Sequence, residues 1–121
     1  MRDDSIHPVE LKRLLESGAR PVLLDVRQPE EVRAASIDGA VCIPMPEIAA
    51  RGRELNPAAP TVVFCHLGVR SAHVAAHLRR TGFKDVRNLA GGIDAWSTLV
   101  DPKVPRYHYD GRRVQIVPSR V

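Results

Sequence analysis

Cysteine is nearly absent: Cys42 and Cys65 are the only two in 121 residues. Two thiols build no disulfide framework, and alone they cannot supply the four ligands of a structural zinc site. Aromatic residues are as sparse, at 4%, too few for the stacking platforms of single-strand nucleic-acid binders. No apolar run approaches the roughly 20 residues needed to span a bilayer. The first residues, Met1-Arg2-Asp3-Asp4, put acids where a secretory leader needs a basic stretch followed by an apolar one. The expectation is a cytoplasmic chain with no membrane and no nucleic-acid partner, whose thiols stay reduced and open to chemistry.

What remains is the balance of a soluble globular domain, 44% apolar and 26% charged. The length suits one core and leaves no room for two. Eighteen basic against 14 acidic residues give a net charge of +4, which favours small anionic substrates or acidic partner surfaces. The expected division is one domain over residues 1–100 and a C-terminal extension over 101–121.

Short β-like runs alternate with helical patterns, which predicts an α/β domain with a largely parallel sheet. Pro8 and Glu10 suit the start of a helix whose Leu11, Leu14 and Leu15 share a face, with Gly18 placed to end it. Val22 to Val26 reads as an apolar strand broken only by Asp25, and Pro29 opens a second short helix. Gly39 to Ile43 is a second strand, closed by Pro44. Thr61 to Cys65, rich in β-branched residues, is the most strand-like run and suits burial on both faces. Ser71 to Arg80 reads as a helix with Val74, Ala75 and Leu78 inward, and Val86 to Leu89 as another strand. Beyond Trp96, itself a core or inter-element anchor, Tyr107 to Tyr109 and Arg113 to Ile116 alternate around Asp110-Gly111. That pattern signals a two-residue hairpin, an arm packed on the domain or on a second copy, or else a disordered terminus.

Cys65 closes the strongest strand and precedes His66-Leu67-Gly68-Val69-Arg70-Ser71. In parallel α/β sheets ligands gather beyond the carboxyl ends of strands. The following helix would begin near Arg70 or Ser71, so its free amides face this loop. A turn at Gly68 bends successive N–H groups inward, and Arg70 would close the ring. Such a cradle favours a thiolate, lowering a thiol from its ordinary value near 8.5. The alternative is an inert buried thiol at the end of a core strand.

Four ordered blocks resemble the rhodanese family. Leu24 to Glu31 is similar to its DVR-x-P-E-E signature, Ile37 to Pro44 to H-I-x-G-A-x-N-I-P, and Cys65 to Ser71 to the active loop C-x-x-G-x-R-S. Gly82 to Leu89 with Gly91 to Trp96 resembles G-F-x-x-V-x-x-L-x-G-G-I-x-A-W. The resemblance implies a three-layer domain, a central and mostly parallel five-stranded sheet with helices on both faces, here extended by a C-terminal arm. It also implies sulfur transfer: Cys65 takes sulfur from a donor such as thiosulfate as a persulfide, and a thiol, cyanide or sulfur-acceptor protein removes it. His66, Leu67, Gly68, Val69, Arg70 and Ser71 would bind the donor, with Asp25 and Arg27 in support. No metal and no cofactor is implied, and the chain would act as a monomer or homodimer.

Ser36 and Cys42 depart from the family's usual His and Asn, at positions expected to be structural. Cys42 is expected to be a buried thiol rather than one that resolves an oxidised Cys65. Asp25 is expected to accept hydrogen bonds that fix nearby loops, and Arg27 to pair with Glu30 or Glu31. His66 either meets donor or acceptor or points to solvent, and His73 with His77 forms a solvated face. Val100 to Tyr107 looks like the ending of rhodanese domains fused to sulfur-carrier-activating enzymes, which favours a protein acceptor. Two rivals stay open. A cysteine phosphatase uses a similar cradle with five residues between Cys and Arg, against four between Cys65 and Arg70. A non-catalytic interaction module of the same family usually lacks the cysteine.

Overall fold

The computed structural model describes residues 4–118. Five strands form one sheet in the order β1-β5-β4-β2-β3, where β1 is Ser5–Ile6, β2 Val22–Asp25, β3 Val41–Cys42, β4 Thr61–Phe64 and β5 Val86–Leu89. All four pairings are parallel. The sheet sorts its side chains by the period of two. Leu23, Val62 and Phe64 enter one core, with Leu11 of helix α1 (Pro8–Glu16), Ile93 and Trp96 of α5 (Gly92–Leu99), and Val104 and Tyr107 of the tail. Leu24, Val63 and Cys65 enter the other, with Ile48 of α3 (Ile48–Arg51) and Val74, Ala75 and Leu78 of α4 (Val69–Arg80). Both faces of β4 are therefore covered, and each fully buried Leu, Ile, Val or Phe contributes roughly 1.5–3 kcal/mol over exposure.

Local chemistry sets the element starts. The Nδ1 atom of His7 accepts from Val9 N at 3.1 Å and caps α1, with Pro8 in the first turn. Glu31 Oε1 accepts from Gln28 N at 3.1 Å at the start of α2 (Pro29–Ala34). Leu14 lies outside the α1 core stripe: Leu11 is buried and Leu15 half-buried, whereas Leu14 is exposed. Nothing in the sequence reading anticipated β1, whose two residues join the sheet edge by pairing with Asn88 and Leu89. Residues 45–54, also unassigned there, form a short α-helix between two 3-10 turns.

The tail is an ordered hairpin of β6 (Tyr107–Tyr109) and β7 (Val114–Ile116). Its turn spans four residues rather than two. Asp110 accepts from the amides of Arg112 at 2.8 Å and Arg113 at 2.7 Å, which closes the wider loop. The arm packs on its own domain, with Val104 and Tyr107 buried. Among the described residues no helix is long and apolar enough to cross a membrane.

Candidate active site

Cys65 is the first residue past β4, at the carboxyl edge of the sheet. The chain turns at Gly68, with φ +102°, and enters α4 at Val69. Glycine is required there, because a Cβ would lie 3.3 Å from Gly91 N in a left-handed backbone. The turn aims α4's first amides at the sulfur. Gly68 N stands 3.1 Å and Ser71 N 3.4 Å from Cys65 Sγ, with Ser71 Oγ at 3.2 Å. Cys65 is 1% exposed and packs in the apolar cluster of β4 and α4, yet its sulfur also meets donors at a helix N-terminus. Such donors favour negative charge at that point.

A second helix start braces the loop from behind. Ile93 N donates to Cys65 O at 2.9 Å and Asp94 N to His66 O at 3.1 Å. Gly92 makes this approach possible: its φ is +62°, and a Cβ there would fall 2.6 Å from Cys65 O. Asn88 of β5 ties the loop laterally. Its Nδ2 donates to Gly68 O at 3.1 Å, and its Oδ1 accepts from Ser71 Oγ at 2.5 Å. Leu67 and Val69, 58% and 67% exposed, form an apolar rim at the mouth.

The charged residues are arranged otherwise than their spacing suggested. Arg70 gives both Nη groups to Glu31, at 2.7 and 2.8 Å. Its fork is engaged by protein, and its guanidinium lies 5.8 Å from the centroid of Tyr109. Glu31 is fully buried and also accepts from Tyr107 Oη at 2.8 Å. Burial pushes the Glu31 carboxyl up, but the hydrogen bonds from Arg70 and Tyr107 outweigh it and hold the group below its ordinary range.

Arg27 pairs with Asp25, and not with Glu30 or the Glu31 carboxylate. Arg27 Nε and Nη2 reach Asp25 Oδ1 and Oδ2 at 2.9 and 2.7 Å. Its Nη groups also reach the carbonyls of Glu31 and Ala35 and the Tyr107 hydroxyl. Desolvation works against this buried charge, and the Asp25 carboxylate overcomes it, so the guanidinium is held above its ordinary value. The Asp25 carboxylate accepts three bonds, including one from Arg27 N, as a residue that fixes neighbouring backbone. Both lie inside the protein rather than on the rim.

His66 does not point to solvent. Its ring is buried and stacks on Tyr107, centroids 4.0 Å apart and planes 12° from parallel. Burial lowers its pKa against the pull of Glu31 and Asp94. Cys42 is exposed instead of buried. Its register partner is Asp25, which is itself in register with Phe64, so Cys42 sits on the sheet face opposite Cys65. Partial desolvation of its sulfur, although the residue is exposed, and then the Asp25 charge raise its thiol pKa. His73 is exposed and His77 half-buried on α4. The described residues contain no group of three or more side chains able to hold a metal.

Three contributors escaped the sequence reading. Asn88 is half-buried in a short strand, and only the β4–β5 register brings it to the loop. Glu31 is expected from the sequence only as a partner of Arg27, and Tyr107, 76 residues from Glu31, only as a hairpin residue. No local pattern reveals such long-range partners. An open groove of about 430 Å³ lies at the opposite end of the strands by Glu10, Leu14, Arg20, Asp85 and Arg87, remote from this chemistry.

Known proteins resemble this chain in sequence and in fold. The model of the rhodanese-like domain matches residues 7–99. A rhodanese-like/PpiC domain-containing protein 12 of Arabidopsis thaliana is 42% identical over 92 residues, 70% of this chain and 30% of that protein. The probable adenylyltransferase/sulfurtransferase MoeZ of Mycobacterium tuberculosis is 39% identical over 108 residues, 88% of this chain and 28% of that protein. The chain thus spans less than a third of these two relatives. The human single-domain sulfurtransferase TSTD1 superposes with TM-score 0.70 at 29% identity, covering 81% of this chain and 98% of that one. A rhodanese-like domain protein of Staphylococcus aureus does so with TM-score 0.73 at 30% identity, covering 95% and 99%. In sequence and in fold, the chain belongs to the rhodanese-like family.

Proposed function

We propose that this protein is a sulfurtransferase that carries one sulfur atom on Cys65. The carrying observation is the set of three donors on a single sulfur, Gly68 N, Ser71 N and Ser71 Oγ. Ionised Cys65 attacks the outer sulfur of thiosulfate, the S–S bond of the donor breaks, and sulfite leaves with its electron pair. The product is a persulfide on Cys65, whose terminal sulfur keeps the negative charge. An acceptor thiolate or cyanide then attacks that sulfur and regenerates the Cys65 anion. This is covalent catalysis in two half-reactions. The amides stabilise charge on sulfur without reorganising, which is the preorganised electrostatics such a reaction requires. No step calls for a metal or an organic cofactor.

The acceptor is a small thiol or a thiol-bearing protein. Support for a protein comes from the exposed pair Leu67 and Val69 beside the sulfur and from relatives such as MoeZ, which joins sulfurtransferase to adenylyltransferase in its name. A tetrahedral phosphate is a poorer guest, because the Arg70 fork is occupied by Glu31.

Purified protein treated with thiosulfate should gain the mass of one sulfur on the Cys65 peptide, lose it to cyanide or a thiol, and gain nothing as Cys65→Ser. An unmodified Cys65 after a panel of thiosulfate, glutathione persulfide and protein persulfide would leave a binding module as the function. Faster hydrolysis of an aryl phosphate than sulfur transfer would make it a phosphatase.

A further inference from the structure

The C-terminal arm grips the cysteine loop at both ends through one side chain. The hydroxyl of Tyr107 donates to Glu31 Oε2 at 2.8 Å and accepts from Arg27 Nη1 at 3.1 Å. Glu31 in turn takes both Nη groups of Arg70, which stands between the two residues whose amides meet the sulfur. The other face of the same tyrosine stacks on His66, the residue after the nucleophile. Glu31, His66 and Tyr107 are all buried, so the connections run through protein, where hydrogen bonds are strong and unmet partners costly.

We infer that Tyr107 is a positioning residue for Cys65, holding the loop amides on the sulfur through Glu31–Arg70 at one end and His66 at the other. The residue lies outside the segment matched by the family, residues 7–99, and the inference rests on the sulfur-transfer reading above. The two contacts divide the work. The ring keeps His66 against the arm, and the hydroxyl completes the shell of a fully buried carboxylate. Burial pushes the phenol's ionisation upward, so the hydroxyl remains a donor to Glu31 throughout the neutral range. Misplacement of reactive groups by a fraction of an ångström lowers rates strongly, and the effect falls on chemistry rather than on donor capture, which long-range charge governs.

The test replaces Tyr107 by Phe, which keeps the stack and removes the hydroxyl. Cys65 persulfide formation from thiosulfate should slow about fivefold to tenfold in kcat with KM within about twofold. In Glu31→Gln the further change Tyr107→Phe should have no added effect on kcat, because both act through one carboxylate. Tyr107→Leu, which also removes the stack, should be slower still. Amide hydrogen exchange reads the grip without any donor: Gly68 and Ser71 N–H should exchange about tenfold faster in Tyr107→Phe, while Val63 follows global stability alone. Unchanged kcat and unchanged Gly68 and Ser71 exchange in a folded Tyr107→Phe protein overturn the inference, as do rate losses that simply add to those of Glu31→Gln. Faster exchange in a protein that forms no persulfide even as wild type would instead sink the sulfur-transfer reading and leave the clamp standing.

Discussion

The hydroxyl of Ser71 lies between Cys65 Sγ at 3.2 Å and Asn88 Oδ1 at 2.5 Å, with one proton for two acceptors. The amide of Asn88 is held in that orientation by its Nδ2 bond to Gly68 O. With the sulfur protonated, S–H can donate to Ser71 Oγ while the hydroxyl serves Asn88. With the sulfur charged, the same hydroxyl turns to it.

Ser71→Ala should therefore slow persulfide formation about tenfold, the loss of one donor on a charged acceptor, about 1.5 kcal/mol. Circular dichroism should show an unchanged fold. Asn88→Ala frees the Ser71 proton but releases Gly68 O, so it should slow the same step by disordering the loop. Single-turnover kinetics on the Cys65 peptide compare the two, and equal rates to wild type for both would remove this pair from the mechanism.

Gly92→Ala should destabilise the fold by about 3 kcal/mol or more, since a β-carbon in a left-handed backbone would also overlap the carbonyls behind the nucleophile. Urea unfolding measures it. A loss below about 1 kcal/mol would mean that α5 backs away from the loop at little cost.

Asp25→Asn should cost about 3–5 kcal/mol, because Arg27 would remain as a buried cation with its chief counter-charge gone. Replacing both by well-packed apolar residues should recover part of that loss. Thermal melts of the single and double variants test this order of stabilities.

Acid should weaken the protein partly through His66. Its pKa is lowered in the fold, chiefly by burial, from the ordinary 6.5. The unfolded chain then binds the extra proton first, so stability falls as pH drops through 6.5. Glu31 has the depressed-carboxylate sign: its contribution is present above the ordinary 4.5 and is lost as pH falls through its lower folded value. His66→Phe should flatten the first slope and leave the second. Urea midpoints from about pH 8 to about pH 2 separate the two windows.

The parts of the site carried by local order were legible in the residues: a β-branched strand ending in Cys65, a glycine at the turn, a helix behind it. Gly68 even announces the left-handed turn that brings the amides round. Asn88, Glu31 and Tyr107 were hidden because their roles depend on register and on distant packing, to which periodicity is blind. Arg70 misled for the same reason. A cation at a loop invites an anion from solvent, and only the fold reveals that a carboxylate from α2 already fills its fork. Cys42 misled through composition, since free cysteines are usually interior, whereas β3 is an edge strand and leaves it in water.

Val104 and Tyr107 share their apolar cluster with Leu11, Phe64 and Trp96. A recombinant fragment stopped at Leu99, where the match to the family model ends, would therefore wet the middle of the molecule. Anyone transplanting this unit into another polypeptide needs the stretch through the second hairpin strand, because the family model and the packing draw the border in different places.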